Sequence, residues 1–363
     1  MSRIRIIITI IVVVLTTLLT GCTGKEPNEI AYVVALGIDS TDDGNYKITI
    51  QYANTTQISG GASESGGKAG SEIVDNVTIE APNIYAGVGL ANNIVSKSFS
   101  MSHAKLIVFS KEIAEKGVKD MIETLVRSEE IRPDVFIAVA NTTANDYLTS
   151  VNPEMEVNPA QYYQLIYQKN QLVGIPDGQL REFFTGLYTD NYDSILPVAG
   201  VIDGSGGNSQ NDDKGQSKDS QNEGSEGSSE SLDSFESKSS NENEKEKDAE
   251  KNTSKYEYDI KNYVGGETTI EKKNKAEAIG AAVFEKDKMV GELGEVETEI
   301  CKILKGDYTY SYLTYYNNDT PDIPITVKTT QQKKPKYKID TDKKTVDIEL
   351  YIESDLYSLP ADY

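Results

Sequence analysis

The chain changes its hydrophobic period repeatedly, and each change marks an element. A run of aliphatic residues interrupted only by Thr9, Thr16 and Thr17, residues 6–19, opens it. Ala31 to Asp39 and Tyr46 to Tyr52 then read as two strands, and the "DSTDDGN" between them supplies Asp-Gly turn chemistry, so a hairpin is predicted. A third strand is expected in Glu72 to Glu80. Next, Ile84, Val88, Ala91, Ile94 and Val95 share one face at helical spacing, and "AKLIVF" at 104–109 is a short, wholly apolar strand. The alternation repeats: Ile113, Val118, Met121, Ile122 and Leu125 form an amphipathic helix ending near Arg127, followed by strand "DVFIAVA" at 134–140 and a short helix at 145–150. "NPAQYYQLIYQ" and "GQLREFFTGLY" keep helical spacing, and "SILPVAGVI" reads as a closing strand.

Between residues 204 and 254 the only apolar side chains are Leu232, Phe235 and Ala249, among Ser, Gly, Asn, Asp, Glu and Lys. No core can form from such a segment, so it reads as a flexible acidic linker or surface insertion. Pattern returns with "AEAIGAAVFEKDKMVGEL", a strand, turn and return strand. "GEVETEICKILKG" is a helix and "DYTYSYLTYY" a strand, and in "TVDIELYIE" Val346, Ile348, Leu350 and Ile352 line one face. That last apolar face calls for a covering element, and none follows it in this chain. The expected fold is a mixed α/β to α+β, multi-domain lipoprotein, each domain a mixed or antiparallel sheet with helices packed on it. Its expected divisions are a signal peptide at 1–21, an N-terminal α/β domain at 22–202, the acidic linker at 203–262 and a second α+β domain at 263–363.

Arg3 and Arg5 precede the opening apolar run, which is too short and poorly flanked for a good membrane span and reads as a secretory signal. It ends in Leu19-Thr20-Gly21-Cys22, the form of a bacterial lipobox. That pattern predicts cleavage before Cys22, a diacylglycerol on its thiol and an acyl chain on the new amino terminus. One chain is a marginal anchor, and two or three hold a soluble body at a membrane. Net charge is −22 for the whole chain and, without Arg3 and Arg5, −24 for the processed form. Such a charge repels phosphate backbones and anionic headgroups, which argues against nucleic acid as a partner and leaves anchoring to the lipid. With Cys22 acylated, Cys301 stands alone, so no intramolecular disulfide forms; it is expected to be a small buried thiol within a helix.

Enzyme-like patterns fail on spacing. "GASESGGKAGS" at 61–71 has Ala62 where a phosphate loop needs its first glycine and Ala69 where a Ser or Thr must reach magnesium. Asp39, Asp43 and Gly44 imitate the start of a calcium loop, but Ile50 stands where the bidentate glutamate belongs, and a hairpin turn explains them. His103 is the sole histidine, which excludes a Ser-His-Asp triad built on any other imidazole and most zinc sites; it reads as a hydrogen-bonded ring where a strand begins. Tyrosine is abundant, 22 in all. Clusters such as Tyr162, Tyr163 and Tyr167, or Tyr308, Tyr310 and Tyr312, read as packing residues or as interface-lining ones.

The lipobox, "EIAYVVALGIDSTDDGNYKITIQYAN", "SMSHAKLIVFSKEIAEKGVKDMIETLVRSEEIRPDVFIAVA" and "AIGAAVFEKDKMVGELGEVETEICKILKG", in that order, resemble the Ger(x)C family, the lipoprotein C subunits of spore germinant receptors. The resemblance covers nearly all the chain except the linker. It implies a non-enzymatic docking and assembly protein without a cofactor beyond the covalent diacylglycerol and N-acyl lipid on Cys22. It also implies a place on the outer face of the spore inner membrane, beside a polytopic A subunit and a transporter-like B subunit. Together these would answer nutrients such as amino acids, sugars or nucleosides and start ion and dipicolinate release.

Two departures stand out. Family members carry Trp-Asp after the lipidated cysteine, where this chain has Thr23-Gly24 and no tryptophan anywhere. They also continue for on the order of a hundred residues further, so this copy is expected to be truncated, with the family's third domain incomplete or absent. The alternative function from another class is a solute-binding lipoprotein of a membrane transporter.

Overall fold

The computed structural model describes residues 3–10, 29–54, 74–153, 156, 158–168, 174–202, 262–268, 274–317 and 320–358. Its main element is a mixed sheet of nine strands. The first are β1 (Ile30–Ser40), β2 (Tyr46–Ala53), β3 (Val74–Ala81), β4 (Ser98–Ser100), β5 (Leu106–Ser110) and β6 (Phe136–Ala140). β7 (Ser194–Val201), β8 (Ala276–Glu285) and β9 (Lys288–Leu293) complete it. They lie in the order β3-β2-β1-β5-β6-β7-β8-β9, with β4 paired to the start of β1.

β1, β5, β6 and β7 are parallel, and antiparallel hairpins extend both sides: β2 and β3 beyond β1, β8 and β9 beyond β7. Every residue of β5 (LIVFS) and β6 (FIAVA) is buried, as expected of central parallel strands covered on both faces. Period-two alternation sorts their side chains. Leu36, Ile38, Ile107, Phe109, Ile137, Val139, Leu196 and Phe284 face one core, and Ala35, Leu106, Val108, Phe136, Ala138, Ala140 and Ala199 face the other. Burying each of the large ones contributes about 1.5–3 kcal/mol.

Helices α1 (Ile84–Ala91), α2 (Lys111–Lys116), α3 (Lys119–Val126) and α6 (Leu180–Leu187) cover the first face, through residues such as Ile84, Val88, Ile113, Ile122, Leu125 and Phe183. α4 (Ala144–Ser150) and α5 (Pro159–Gln168) cover the second with Tyr147, Leu148, Tyr162, Tyr163 and Tyr167. This second core carries a satisfied polar network. Gln51 Nε2 donates to Leu148 O at 2.8 Å, the Tyr163 hydroxyl donates to Gln51 Oε1 at 2.5 Å, and the Tyr147 and Tyr167 hydroxyls lie 3.0 Å apart. Burial raises the pKa of all three phenols, so they stay protonated donors. Tyr162, Tyr163 and Tyr167 are therefore core residues, and the interface role open to them in the sequence is corrected.

Three local expectations are revised. The helix predicted through Ile94 and Val95 stops at Ala91. Asn92 turns its side chain to accept from Phe99 N at 2.8 Å, which ties the chain to β4 and leaves Ile94 in solvent. The single helix predicted over 113–127 is two, broken at Gly117, whose φ of 123° a side chain rarely adopts. Of the strand expected at 72–80, residues 72 and 73 lie outside the described residues, and β3 runs over Val74–Ala81.

The sheet continues across the boundary expected at 263. β8 pairs with β7, Val201 opposite Ala276, and Ile202 N donates to Lys275 O at 2.8 Å. Residues 265 and 266 press on β7 so closely that a Cβ on Gly200 would lie 2.0 Å from Gly266 N. Asn141 fastens them, donating to Gly265 O at 2.7 Å and accepting from Val201 N at 3.3 Å. The acidic segment of 203–262, which apart from Asn262 lies outside the described residues, thus connects neighbouring strands of one sheet.

Beyond β9, α7 (Glu295–Lys305) leads to a separate antiparallel sheet of β10 (Tyr310–Asn317), β11 (Thr320–Asp340) and β12 (Thr345–Ser358). The fold is the expected mixed α+β arrangement with two sheets.

Candidate functional site

The predicted lipid-attachment residue Cys22, with Leu19, Thr20 and Gly21, lies outside the described residues. Within the segment expected to be a signal, residues 3–10 are helical, with Ile4, Ile6, Ile7, Ile8 and Ile10 exposed, and no helix among the described residues is long and apolar enough to cross a membrane. The described chain resumes at Glu29 and enters β1 at once, so the beginning of β1 is the end of the body that a lipid on Cys22 would hold. Ile30 pairs with Ser98, and Tyr32 with Ser100. The Tyr32 ring meets His103 edge-on, centroids 4.8 Å apart, and His103 Nδ1 lies 3.0 Å from Ser102 Oγ. The exposed imidazole therefore stands just ahead of β5, hydrogen-bonded as expected. Met101 N donates to Glu130 Oε2 at 2.7 Å, closing one wall of a groove of about 720 Å³ between α1 and α3, floored by Val88, Phe99 and Met101.

The other concentration of chemistry lies where α7 joins the two sheets. Gly294 N donates to Glu297 Oε2 at 2.9 Å, and Gly306, at φ 76°, ends the helix. Its buried face, Thr298, Glu299, Lys302 and Ile303, carries a charged pair three residues apart. Glu299, 6% exposed, accepts from Ser311 Oγ at 3.0 Å; that hydroxyl is 2.6 Å from Tyr308 OH, which donates to Thr329 O at 3.3 Å. Desolvation pushes the Glu299 carboxyl up to about 7, the Ser311 bond and Lys302 opposing and Glu295 assisting. Desolvation also lowers the pKa of Lys302, against the pull of Glu299, Asp307 and Asp177; its Nζ donates to Ile175 O at 3.2 Å.

Lys302 forms part of the wall of a cavity of about 370 Å³ with Asp177, Glu182, Tyr192, Lys305 and Asp307. Burial raises the Asp177 pKa, and Lys305 Nζ sits 5.4 Å from the Tyr192 ring centroid. The walls interleave carboxylates and ammonium groups, so they offer mutual neutralisation; His103 is not among the lining residues. Sequence reading did not find this cluster, although charged residues at the buried positions of an amphipathic helix were its visible sign. Among the described residues no group of three or more His, Cys, Asp and Glu is placed to hold a metal ion.

Asp39, read as turn chemistry, does more. Its carboxylate is buried and accepts from Ala144 N at 2.7 Å and Asn145 N at 3.0 Å, capping α4, while Gly44 at φ 79° makes the hairpin turn. Cys301, expected to be buried, is half-buried, because it follows the exposed Ile300 on the outer side of α7. The loop at 61–71 lies outside the described residues. Tyr308 is buried, whereas Tyr312 is exposed.

The distal sheet presents a surface of another kind. Tyr337 pairs with Ile348 and Ile339 with Val346, and with Leu350 and Ile352 they form an apolar face left 41–69% exposed. The opposite face is charged, Lys336 lying 3.6 Å from Glu349. The Tyr337 hydroxyl donates to Leu304 O, and Gln331 Nε2 to Ile303 O at 2.9 Å, so α7 braces the base of this ribbon.

Residues 24–201 match the family described as spore germination protein N-terminal domain, and residues 279–363 the one described as spore germination B3/GerAC like, C-terminal. Spore germination protein KC of Bacillus subtilis (strain 168) is 26% identical over 176 residues, 45% of this chain and 43% of that protein. Spore germination protein GerQC of Bacillus cereus is 24% identical over 196 residues, 52% of this chain and 50% of that protein. Putative spore germination protein YfkR of B. subtilis is 28% identical over 145 residues, 40% of this chain and 37% of that protein. The chain thus spans half or less of the length of these curated relatives. No solved structure matches. The two matched families span both sheets, from β1 to the exposed ribbon, and on that ground the chain belongs to the Ger(x)C family of spore germination proteins.

Proposed function

We propose that this chain is the lipid-anchored C subunit of a spore nutrient germinant receptor, a docking and assembly component that makes and breaks no bonds. The observation that carries this reading is Leu19-Thr20-Gly21-Cys22 directly ahead of a Ger(x)C chain. Diacylglycerol on the Cys22 thiol and an acyl chain on its amino group hold an anionic body at the outer face of the spore inner membrane. Its partners there are the A-type and B-type membrane subunits. The two cores support the non-catalytic part of the reading, since their polar groups are engaged in holding elements together: Asp39 caps α4, and Gln51 joins β2 to α4 and α5.

Changing Cys22 to Ala in sporulating cells tests the proposal. The expected result is loss of the protein from spore membranes together with a weakened nutrient response. Unchanged membrane fractionation and an unchanged response would overturn it.

A further inference from the structure

We propose that the body meets the bilayer through the end of α1, with Leu90 and Ile94 seated in the lipid interface. This rests on the lipid anchor at Cys22 and adds which surface that anchor turns toward the membrane.

The first observation is one of reach. Between Cys22 and Glu29 lie seven peptide units, which extend at most about 25 Å. The eleven residues of β1 rise about 3.3 Å each and carry the chain roughly 35 Å away to the Thr41–Asn45 turn. An anchor on Cys22 therefore holds the Ile30 end of the sheet near the membrane and leaves that turn distant.

The second observation is where α1 points. β3 ends at Ala81, opposite Tyr46 at the distant end, and α1 starts directly after it, at Ile84. The chain then returns to pair Ser98 with Ile30, so α1 runs back and the 92–97 turn sits at the tethered end. There Ile94 is 65% exposed, the most of any large apolar side chain described between residues 30 and 293. Leu90, one turn earlier, is 46% exposed, and Ile94 N donates to Ala91 O, which keeps the two on neighbouring turns. Ile94 belongs to the apolar stripe of α1 by spacing, yet the helix stops before it, and nothing among the described residues covers it.

The third observation selects the occupant. The groove that borders the same segment at Gly89 and Asn92 is lined by Arg127, Glu129 and Glu130, a mixed set that favours neither a polyanion nor a polycation. Two adjacent aliphatic side chains within tether reach of acyl chains suit the headgroup boundary of a bilayer.

The absence of tryptophan makes the test clean. Full-length lipidated chain carrying Ile94→Trp, or Asp43→Trp in the distant turn, is recovered from membranes. Each is reconstituted into phosphatidylcholine vesicles with or without brominated acyl chains. Both positions are exposed, so neither change should disturb folding. The expected result is at least twofold quenching at position 94 and none at 43, with both proteins floating with the vesicles. Flotation without quenching at 94, or equal quenching at both positions, overturns the orientation and leaves the anchor standing. Failure to float overturns the anchor and the orientation with it.

Discussion

At the scale of single residues, Glu299 is the group most displaced from its ordinary chemistry. Its carboxyl titrates near 7 in the folded protein against an ordinary 4.5. The folded state therefore binds a proton that the unfolded state has lost, so the stability this group contributes is complete below pH 4.5 and is lost as pH rises to 7. After allowance for solvent screening the loss is about 1–2 kcal/mol. Urea unfolding of Glu299→Gln should accordingly show a flatter stability profile between pH 4.5 and 7 and a higher midpoint at pH 8 than the parent. Neither this pair nor Asp39 was legible in the sequence as it acts. Asp39 looks like any aspartate before a turn, and only the fold brings it to the amides of Ala144 and Asn145, more than a hundred positions away. Tyrosines were ambiguous for a related reason: a phenol packs equally well in a core or at a surface, and here the partners on Gln51 and Tyr147 decide.

At the scale of elements, most strands and helices were legible because their periods are clean. β5 and β6 are short and wholly apolar, β1 and β2 flank a turn with Gly44, and α7 carries a Gly at each end. β11 was not. It has Pro321, Pro324 and Pro335 and a run of lysines, none of which a strand pattern contains. It pairs nonetheless because it lies between two partners and because its ladder is irregular between Lys333 and Lys336, where Pro335 need not donate. The ribbon it forms with β12 should bind a hydrophobic dye such as ANS. Replacing Ile348 and Ile352 together by Lys is expected to lower that fluorescence severalfold and leave far-ultraviolet circular dichroism unchanged, since both side chains are exposed.

On the scale of the whole molecule, the mixed sheet reconciles what the sequence presents as two stretches separated by an acidic tract. Charge and composition distinguish that tract plainly, but composition says nothing about which strands its two ends join. That information lies in the pairing of Val201 with Ala276 and in the seat of residues 265 and 266 on β7. Covalent continuity and structural continuity therefore part company here. A specific protease site placed near residue 230 should yield two polypeptides on a denaturing gel that still elute together from a sizing column. The β7–β8 ladder and the seat of residues 265 and 266 on β7 would hold them as a split protein, whose halves could be expressed separately and recombined.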